Sequence, residues 1–301
     1  MLAVVIPYYK LTFFDTTLQS LANQTDKRFK VYIGDDASPE DPAVLLEKYR
    51  GKFDFVYIRF EGNLGGISLV KQWEHCIALT DDEEWIMILG DDDYLGINAI
   101  KEFYKSYNQI RENNINVIRY ATQSILNGVF SPMFIHCKFE KSIDFIFRKL
   151  KGETRSSLSE YIFNKEKLFQ IKFKELPLAW HSDELAILEV SDFSTVYTIN
   201  QAVIYINVSE LSISGSGNKY NMLKNEATII FFKTLIDNYK VKFSKNQLSD
   251  LVRLLSESYF KSPGLNLFFQ IASYHLKYTS LSEFSKFCKK QSKREIKKIL
   301  S

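Results

Sequence analysis

Three consecutive aspartates, Asp91, Asp92 and Asp93, follow the apolar run "WIMIL" with only Gly90 between. Three like charges side by side repel one another unless water, a cation or a bound proton relieves them. A second acidic pair, Asp35 and Asp36, closes "VYIGDD". Grouped carboxylate oxygens suit Mg²⁺ or Mn²⁺, which take one or two carboxylates and complete their shell with water and substrate phosphates. A cation held in this way neutralises a departing diphosphate. Capping a turn needs one carboxylate, so a purely structural role accounts for "DD" better than for "GDDD".

The elements around these acids follow from periodicity. "LAVVIPYY", "FKVYIGDD", "FDFVYIRF" and "EWIMIL" are short, continuous apolar runs that predict strands. Between them, "FFDTTLQSLANQ" behind Thr12 as N-cap, residues 42–49, and "SLVKQWEHCIAL" with Leu69, Trp73 and Ile77 on one face predict helices. This βαβαβαβ rhythm predicts an α/β fold whose mostly parallel sheet is covered on both faces. Ligands collect at the carboxyl ends of such strands, and both acid clusters fall there. Farther along, Ile97 to Ile110 predicts a helix, "INVIRYATQSI" and "STVYTINQAVIYINV" strands, and "FSPMFIHCKF" an edge or hairpin strand. Residues 218 to the end read as helical. The Ser/Gly loop "SELSISGSGNK" divides a domain over 1–210 from a loop and helical extension over 211–301.

Composition narrows the function. The 301 residues, 46% hydrophobic, suffice for one large core or one core plus a smaller unit. The net charge of +3 is too small for nucleic-acid binding by bulk electrostatics. It is uneven: from Leu276 to Ser301 eight Lys/Arg face two Glu, a balance of +6 that leaves −3 for residues 1–275. Leu276, Leu281, Phe284 and Phe287 among those lysines make a basic amphipathic pattern that suits an anionic membrane surface, with a solvated helix face as the alternative. Cys76, Cys137 and Cys288 fit no CxxC or zinc spacing, which argues for a reduced compartment. "MLAVVIP" lacks a basic leader region and stops at Pro7, so it reads as a first strand, and no run approaches the ~20 apolar residues of a membrane span. A cytoplasmic protein is expected, peripheral at the inner face of the membrane if its basic helix binds there.

In this order, "VVIPYYK" with "LQSLANQT", "VYIGDDASPED", "EGNLGG" and "ILGDDDYL" resemble the family 2 glycosyltransferases of GT-A fold, strongly over residues 1–125 and weakly over 126–210. The resemblance implies a Rossmann-like domain that binds a nucleotide-diphospho-sugar. Pro7 and Tyr8 would line the nucleotide pocket, and Asp35 or Asp36 would bond the base. Asn63, Gly65 and Gly66 would bring backbone to the nucleotide, with Lys71 at a position where the family often has a basic residue. The family's metal motif commonly reads Asp-x-Asp-Asp. Aligned through Tyr94 and Leu95, it puts Gly90 at the first Asp, Asp92 at the metal ligand and Asp93 beside it. Either Asp91 substitutes for the missing carboxylate, or fewer groups make the ribose and metal contacts. Inverting members take the acceptor's hydroxyl proton with a downstream carboxylate.

"LPLAWHSDELAIL" offers Asp183 or Glu184 as that base, Asp183 being favoured because a helix N-terminus stabilises the ionised form. Trp180 is a stacking surface for the acceptor sugar, and His181 a metal or acceptor contact. Arg155 in "ETRSSLSEYIF" is placed to meet a diphosphate or an anionic acceptor. Ser212, Ser214 and Gly215 suit a lid. The implied reaction moves a sugar from a nucleotide-diphospho-sugar, UDP-linked by preference, to a saccharide or polyprenyl-diphosphate-linked acceptor in surface polysaccharide biosynthesis. Rival readings are a nucleotidyltransferase-like enzyme and a non-catalytic binding module. Against the first, no Gly-rich phosphate loop with a following Arg/Lys occupies the first βα turn.

Overall fold

Continuous burial of β-branched and aromatic residues fixes the centre of the molecule: Leu2 through Ile6 are fully buried, as are Val31, Ile33, Ile86 and Met87. Strands buried on both faces read as unbroken apolar runs, as the sequence shows. The computed structural model describes residues 1–210 and 212–300, with side chains to residue 296. Leu211, within the expected lid, and Ser301 lie outside the described residues. The chain forms two compact units, Met1–Glu175 with Ser182–Gly217, and Leu176–His181 with Asn218–Ser301.

The first unit holds β1 (Leu2–Tyr8), β2 (Phe29–Asp35), β3 (Asp54–Arg59), β4 (Trp85–Ile88), β5 (Tyr94–Leu95), β6 (Val117–Leu126), β7 (Val129–Phe130), β8 (Phe139–Lys141), β9 (Tyr161–Asn164) and β10 (Thr195–Val208). They make one sheet in the order β3-β2-β1-β4-β9-β6-β10-β5, with β7 on β6 and β8 on β10. β3, β2, β1 and β4 are mutually parallel. β9 then enters antiparallel to both β4 and β6, while β6 and β10 pair in parallel. The sheet is therefore parallel in its N-terminal half and mixed beyond it. Because β2, β1 and β4 are adjacent, the chain segments leaving their carboxyl ends start side by side, and both acid clusters are on those segments.

Its helices are α1 (Phe14–Ala22), α2 (Ala43–Tyr49), α3 (Leu69–Ile77), α4 (Ala99–Glu112), α5 (Ser142–Leu150), α6 (Lys165–Ile171) and α7 (Ser182–Val190). One local expectation is corrected. Thr12 does not cap α1: the N-cap is Phe13, with no side-chain capping bond. In α3 the buried face is Val70, Gln72, Cys76 and Ile77, whereas Leu69 and Trp73 lie at its margin, Trp73 edge-on to Phe173 at 5.3 Å. "FSPMFIHCKF" contributes only fragments, the end of β7, a bridge from Phe134 to Thr122, and the start of β8.

The second unit comprises a short turn at Pro177–Ala179 and α8 (Asn221–Tyr239), α9 (Lys245–Lys261), α10 (Leu265–Tyr278) and α11 (Leu281–Leu300). A capping box of Ser244 and Gln247 starts α9. Phe231, Leu235, Leu251, Leu255 and Ile271 are fully buried here. Phe287 of the basic α11 joins them, stacked on Phe268 at 5.4 Å and on His275 at 4.8 Å. The basic helix thus spends part of its apolar face on its own unit, leaving Leu281 and Ile296 exposed. Among the described residues no helix is long and apolar enough to cross a membrane. Phe287→Ala should destabilise this unit by about 3–5 kcal/mol, the usual cost of emptying a buried aromatic site. Thermal unfolding followed by circular dichroism checks this, and an unchanged midpoint would refute the packing role.

Candidate active site

The three aspartates after β4 take different work. Asp91 Oδ2 accepts the backbone N–H groups of Tyr9 at 2.8 Å and Lys10 at 2.7 Å, tying the end of β4 to the end of β1. Asp93, 5% exposed, accepts Asn207 N–H at Oδ1 (2.9 Å) and the Ser159 hydroxyl at Oδ2 (2.5 Å). Ser159 Oγ itself accepts the Gly90 N–H at 3.0 Å. Burial pushes Asp92 up to about 8, with the charges of Asp93 and Asp91 adding to the shift and Lys10 opposing it. Asp93 is pushed up to about 6 by burial, against the pull of Ser159, Asn207 and the Arg155 charge. Burial also raises Asp91. Gly90 has a steric reason: a Cβ there would stand 3.0 Å from Asp92 Oδ1 and 3.1 Å from Asp93 Oδ2.

The pair after β2 is committed internally. Asp35, fully buried, accepts Ser38 N–H at 2.8 Å, the Tyr57 hydroxyl at 2.6 Å and Arg59 Nη1 at 2.8 Å. Asp36 accepts the N–H groups of Leu64 (2.8 Å) and Gly65 (2.7 Å), and so holds the "NLGG" loop. Gly65 is required by close approach, since a Cβ would meet Gln72 Oε1 at 2.7 Å and Asp36 Oδ2 at 2.8 Å. Asn63 Oδ1 closes the same loop on Gly66 N–H at 2.6 Å. Pro7 is partly exposed at the end of β1. Tyr8 departs from expectation: it is fully buried, its ring 4.6 Å from Phe14 and its hydroxyl on the Glu40 carbonyl at 2.7 Å. Strand alternation turns it into the core, so it cannot line a pocket. Lys71 is mostly exposed and lies 3.9 Å from Glu175.

A second charged group comes from α5, the 155–160 segment and α7. Arg155 pairs with the fully buried Glu160 at 3.1 Å, and Lys149 with Glu184. Glu184 is 4% exposed and neutralised by that lysine, whereas Asp183 is only partly buried and feels the charges of both Lys149 and Arg155. Burial raises Asp183, outweighing the lowering by those two cations and by its own backbone N–H at the helix start. The helix start does pull toward the ionised form, as expected, and burial outweighs it. Arg155 links the two carboxylate groups, since it acts on Asp93 and Asp183 alike. Lys149, Ser159 and Glu160 carried no recognisable pattern in the sequence; Ser159 and Glu160 arrive on the segment that leads into β9, beside β4, and Lys149 on α5.

Trp180 and His181 belong to the second unit, where both contact α8. His181, 8% exposed, bonds Thr228 Oγ1 at 3.0 Å and stacks on Phe231 at 4.6 Å, which makes it a packing residue. The Lys224 ammonium sits over the Trp180 ring at 4.7 Å. In the Ser/Gly segment, Ser212 Oγ donates to the Ser209 carbonyl at 2.8 Å and accepts Gly215 N–H at 3.1 Å.

The model of glycosyl transferase family 2 matches residues 3–171, more than half of the chain. The chain belongs to glycosyl transferase family 2. Poly(ribitol-phosphate) β-N-acetylglucosaminyltransferase TarS of Staphylococcus aureus is 30% identical over 104 residues, which are 33% of this chain and 18% of the relative. The chain thus matches under a fifth of that relative's length. The structure of S. aureus TarS 1–349 in complex with UDP-GlcNAc superposes with a TM-score of 0.64 at 19% identity, covering 91% of this chain and 81% of that one. Mannosyltransferase PcManGT from Pyrobaculum calidifontis, in complex with GDP-Man and Mn²⁺, gives 0.56 at 10% identity, covering 97% and 79%. These likenesses show the GT-A fold.

For a divalent cation the family fold raises the question of fit. Among the described residues no three His, Cys, Asp or Glu side chains converge as a cage. Asp92 and Asp93 nonetheless offer hard oxygens whose mutual repulsion is not fully neutralised by the protein. Two carboxylates suit Mg²⁺ or Mn²⁺ when phosphates supply further ligands. Asp91 has its Oδ2 taken by two backbone amides.

The raised values carry a stability consequence. Asp92 titrates near 8 when folded and near 3.8 when unfolded, so between those values the folded state binds more protons, and stability falls as pH rises. Asp92→Asn should raise the melting temperature of the metal-free protein at pH 8, by the order of 2–4 °C that about 1 kcal/mol is worth at this size, and flatten its decline from pH 5 to 8. Equal slopes for the two proteins would contradict the buried-charge account.

Proposed function

We propose that this chain is an inverting transferase that moves a sugar from a nucleotide-diphospho-sugar, UDP-linked by preference, to an acceptor hydroxyl. The observation that carries this reading is one cation shared by two carboxylate groups: the Arg155 charge lowers Asp93, the neighbour of Asp92, and also Asp183. Asp92 and Asp93 would hold Mn²⁺ or Mg²⁺, which when bound neutralises charge on the leaving diphosphate. Arg155 adds positive charge toward the same phosphates. Asp36 fixes the 63–66 loop so that its backbone, free of side chains at Gly65 and Gly66, can approach the nucleotide. Asp183 Oδ accepts the acceptor's hydroxyl proton; its raised proton affinity brings it nearer to neutrality, where a general base works best. The turns around Ser212, Ser214 and Gly215 are proposed as the lid over the donor.

The acceptor is proposed to be a saccharide or polyprenyl-diphosphate-linked chain of a surface polymer, in keeping with the poly(ribitol phosphate) named for TarS. A lipid-linked acceptor would bring a cytoplasmic enzyme to the inner membrane face. With Phe287 spent on packing, the lysines of α11 would carry that contact by electrostatics, and high salt would abolish it.

Asp183→Asn should lower kcat/KM by about 10²–10⁴, the usual worth of a general base, while leaving UDP-sugar binding intact. The acid limb of the wild-type pH profile should lie above the ordinary aspartate range. Turnover of a UDP-, GDP- and dTDP-sugar panel with Mn²⁺ reads both. Full activity of Asp183→Asn, or loss in Glu184→Gln alone, would overturn the assignment of the base.

A further inference from the structure

The turn that carries the three aspartates, residues 90–93, is closed by the Asp93 N–H on the Gly90 carbonyl at 3.2 Å. Two buried hydroxyls from distant parts of the chain hold it. Thr17 of α1, fully buried, shares its hydroxyl hydrogen between the carbonyls of Asp93 at 2.8 Å and Asp91 at 3.1 Å. A helical threonine ordinarily returns its hydroxyl to the carbonyl one turn back in its own helix. Thr17 instead reaches residues 76 and 74 positions along the chain. Ser20, one turn on, anchors this contact: its Oγ donates to the Thr17 carbonyl at 2.7 Å and accepts the Leu95 N–H at 3.1 Å. Ser159, 4% exposed, takes both ends of the turn, accepting the Gly90 N–H at 3.0 Å and donating to Asp93 Oδ2 at 2.5 Å. The Asn207 N–H holds the other oxygen of Asp93 at 2.9 Å. An ionised carboxylate has about four lone-pair positions, so these two bonds fix the Asp93 rotamer and leave it acceptor capacity. The Asp92 carboxylate, at the middle of the turn, stays out of the bonds made by Thr17 and Ser159.

We infer that Thr17 and Ser159 are positioning residues for a divalent cation: Thr17 fixes the backbone of the 90–93 turn, Ser159 fixes the Asp93 carboxylate, and together they set where the Asp92 and Asp93 oxygens meet the ion. Neither hydroxyl touches the ion itself. Carboxylates that ligate a metal are oriented by donors in the shell behind them, and losing such a donor ordinarily lowers metal affinity by about 10–100-fold. The demand is sharpest for Mg²⁺, whose shell is close to ideally octahedral and tolerates little swing in a ligand. The inference rests on the transferase reading for the cation at Asp92 and Asp93, but its test uses the ion alone and does not depend on turnover.

Titration of the full chain with Mn²⁺ at pH 7, followed by the electron paramagnetic resonance of the unbound ion, tests this. Ser159→Ala should weaken Mn²⁺ binding by about 10–100-fold. In an Asp93→Asn background the same substitution should have no further effect, because Ser159 acts through Asp93. Thr17→Val keeps the volume of the side chain without its hydroxyl and should lose affinity, whereas Thr17→Ser keeps the hydroxyl, leaves a small void and should bind Mn²⁺ as the wild type does. A merely structural role would instead follow the melting temperature and harm Thr17→Ser as much as Thr17→Val. No Mn²⁺ binding by the wild type, equal binding by Ser159→Ala, or equal losses in the two Thr17 variants would overturn the inference. Sugar-nucleotide turnover with Mn²⁺ binding indifferent to Ser159 would refute it and leave the transferase reading standing. Hydroxyl-dependent Mn²⁺ binding without turnover of any donor would do the reverse.

Discussion

The structure turns on the repulsion between carboxylates crowded where β4 ends. Two of the three are bound by donors from elsewhere in the chain: Asp91 by the amides leaving β1, Asp93 by Ser159 and the Asn207 amide. These bonds stitch β1, β4, the segment before β9 and β10 into one rim. They also fix Asp92 beside two like charges, so its negative charge is held at a cost that a proton or a divalent cation removes. The positions of Gly90 and Ser159 follow from that crowding: one leaves room for the carboxylates, the other bridges the strand end to Asp93.

The N-terminal half was legible in the sequence because each parallel strand is buried on both faces and each acid cluster sits at a strand end. Alternating β and α periods encode such a sheet directly. The segment from 127 to 165 was not legible, and the reason is physical. β9 is four residues long and antiparallel to both β4 and β6, so its placement is decided by pairing partners distant in sequence and not by its own periodicity. Ser159, Glu160 and Lys149 ride on this segment and on α5, which is why their partnership with Asp93, Arg155 and Glu184 could not be anticipated.

Other misreadings have the same origin in context. Tyr8 stands in a motif at the ligand edge, yet strand alternation turns its ring inward, and only Pro7 before it stays partly exposed. Trp180 and His181 lie three and two residues before Asp183, yet left-handed residues around them carry them into the helical unit, where one lines a cavity and the other packs on Phe231. Asp183 and Glu184 are adjacent on α7, yet Glu184 is ion-paired with Lys149 while Asp183 feels the charges of both Lys149 and Arg155.

On the proposed reading, Mn²⁺ and diphosphate displace the proton that burial and the charges of Asp93 and Asp91 favour on Asp92. Calorimetry of Mn²⁺ and UDP binding at pH 7, repeated in buffers of differing ionisation enthalpy, counts that proton. The account predicts release of close to one proton per site for the wild-type protein and almost none for Asp92→Asn. Binding with no proton release by the wild type, or with equal release by the variant, would contradict it.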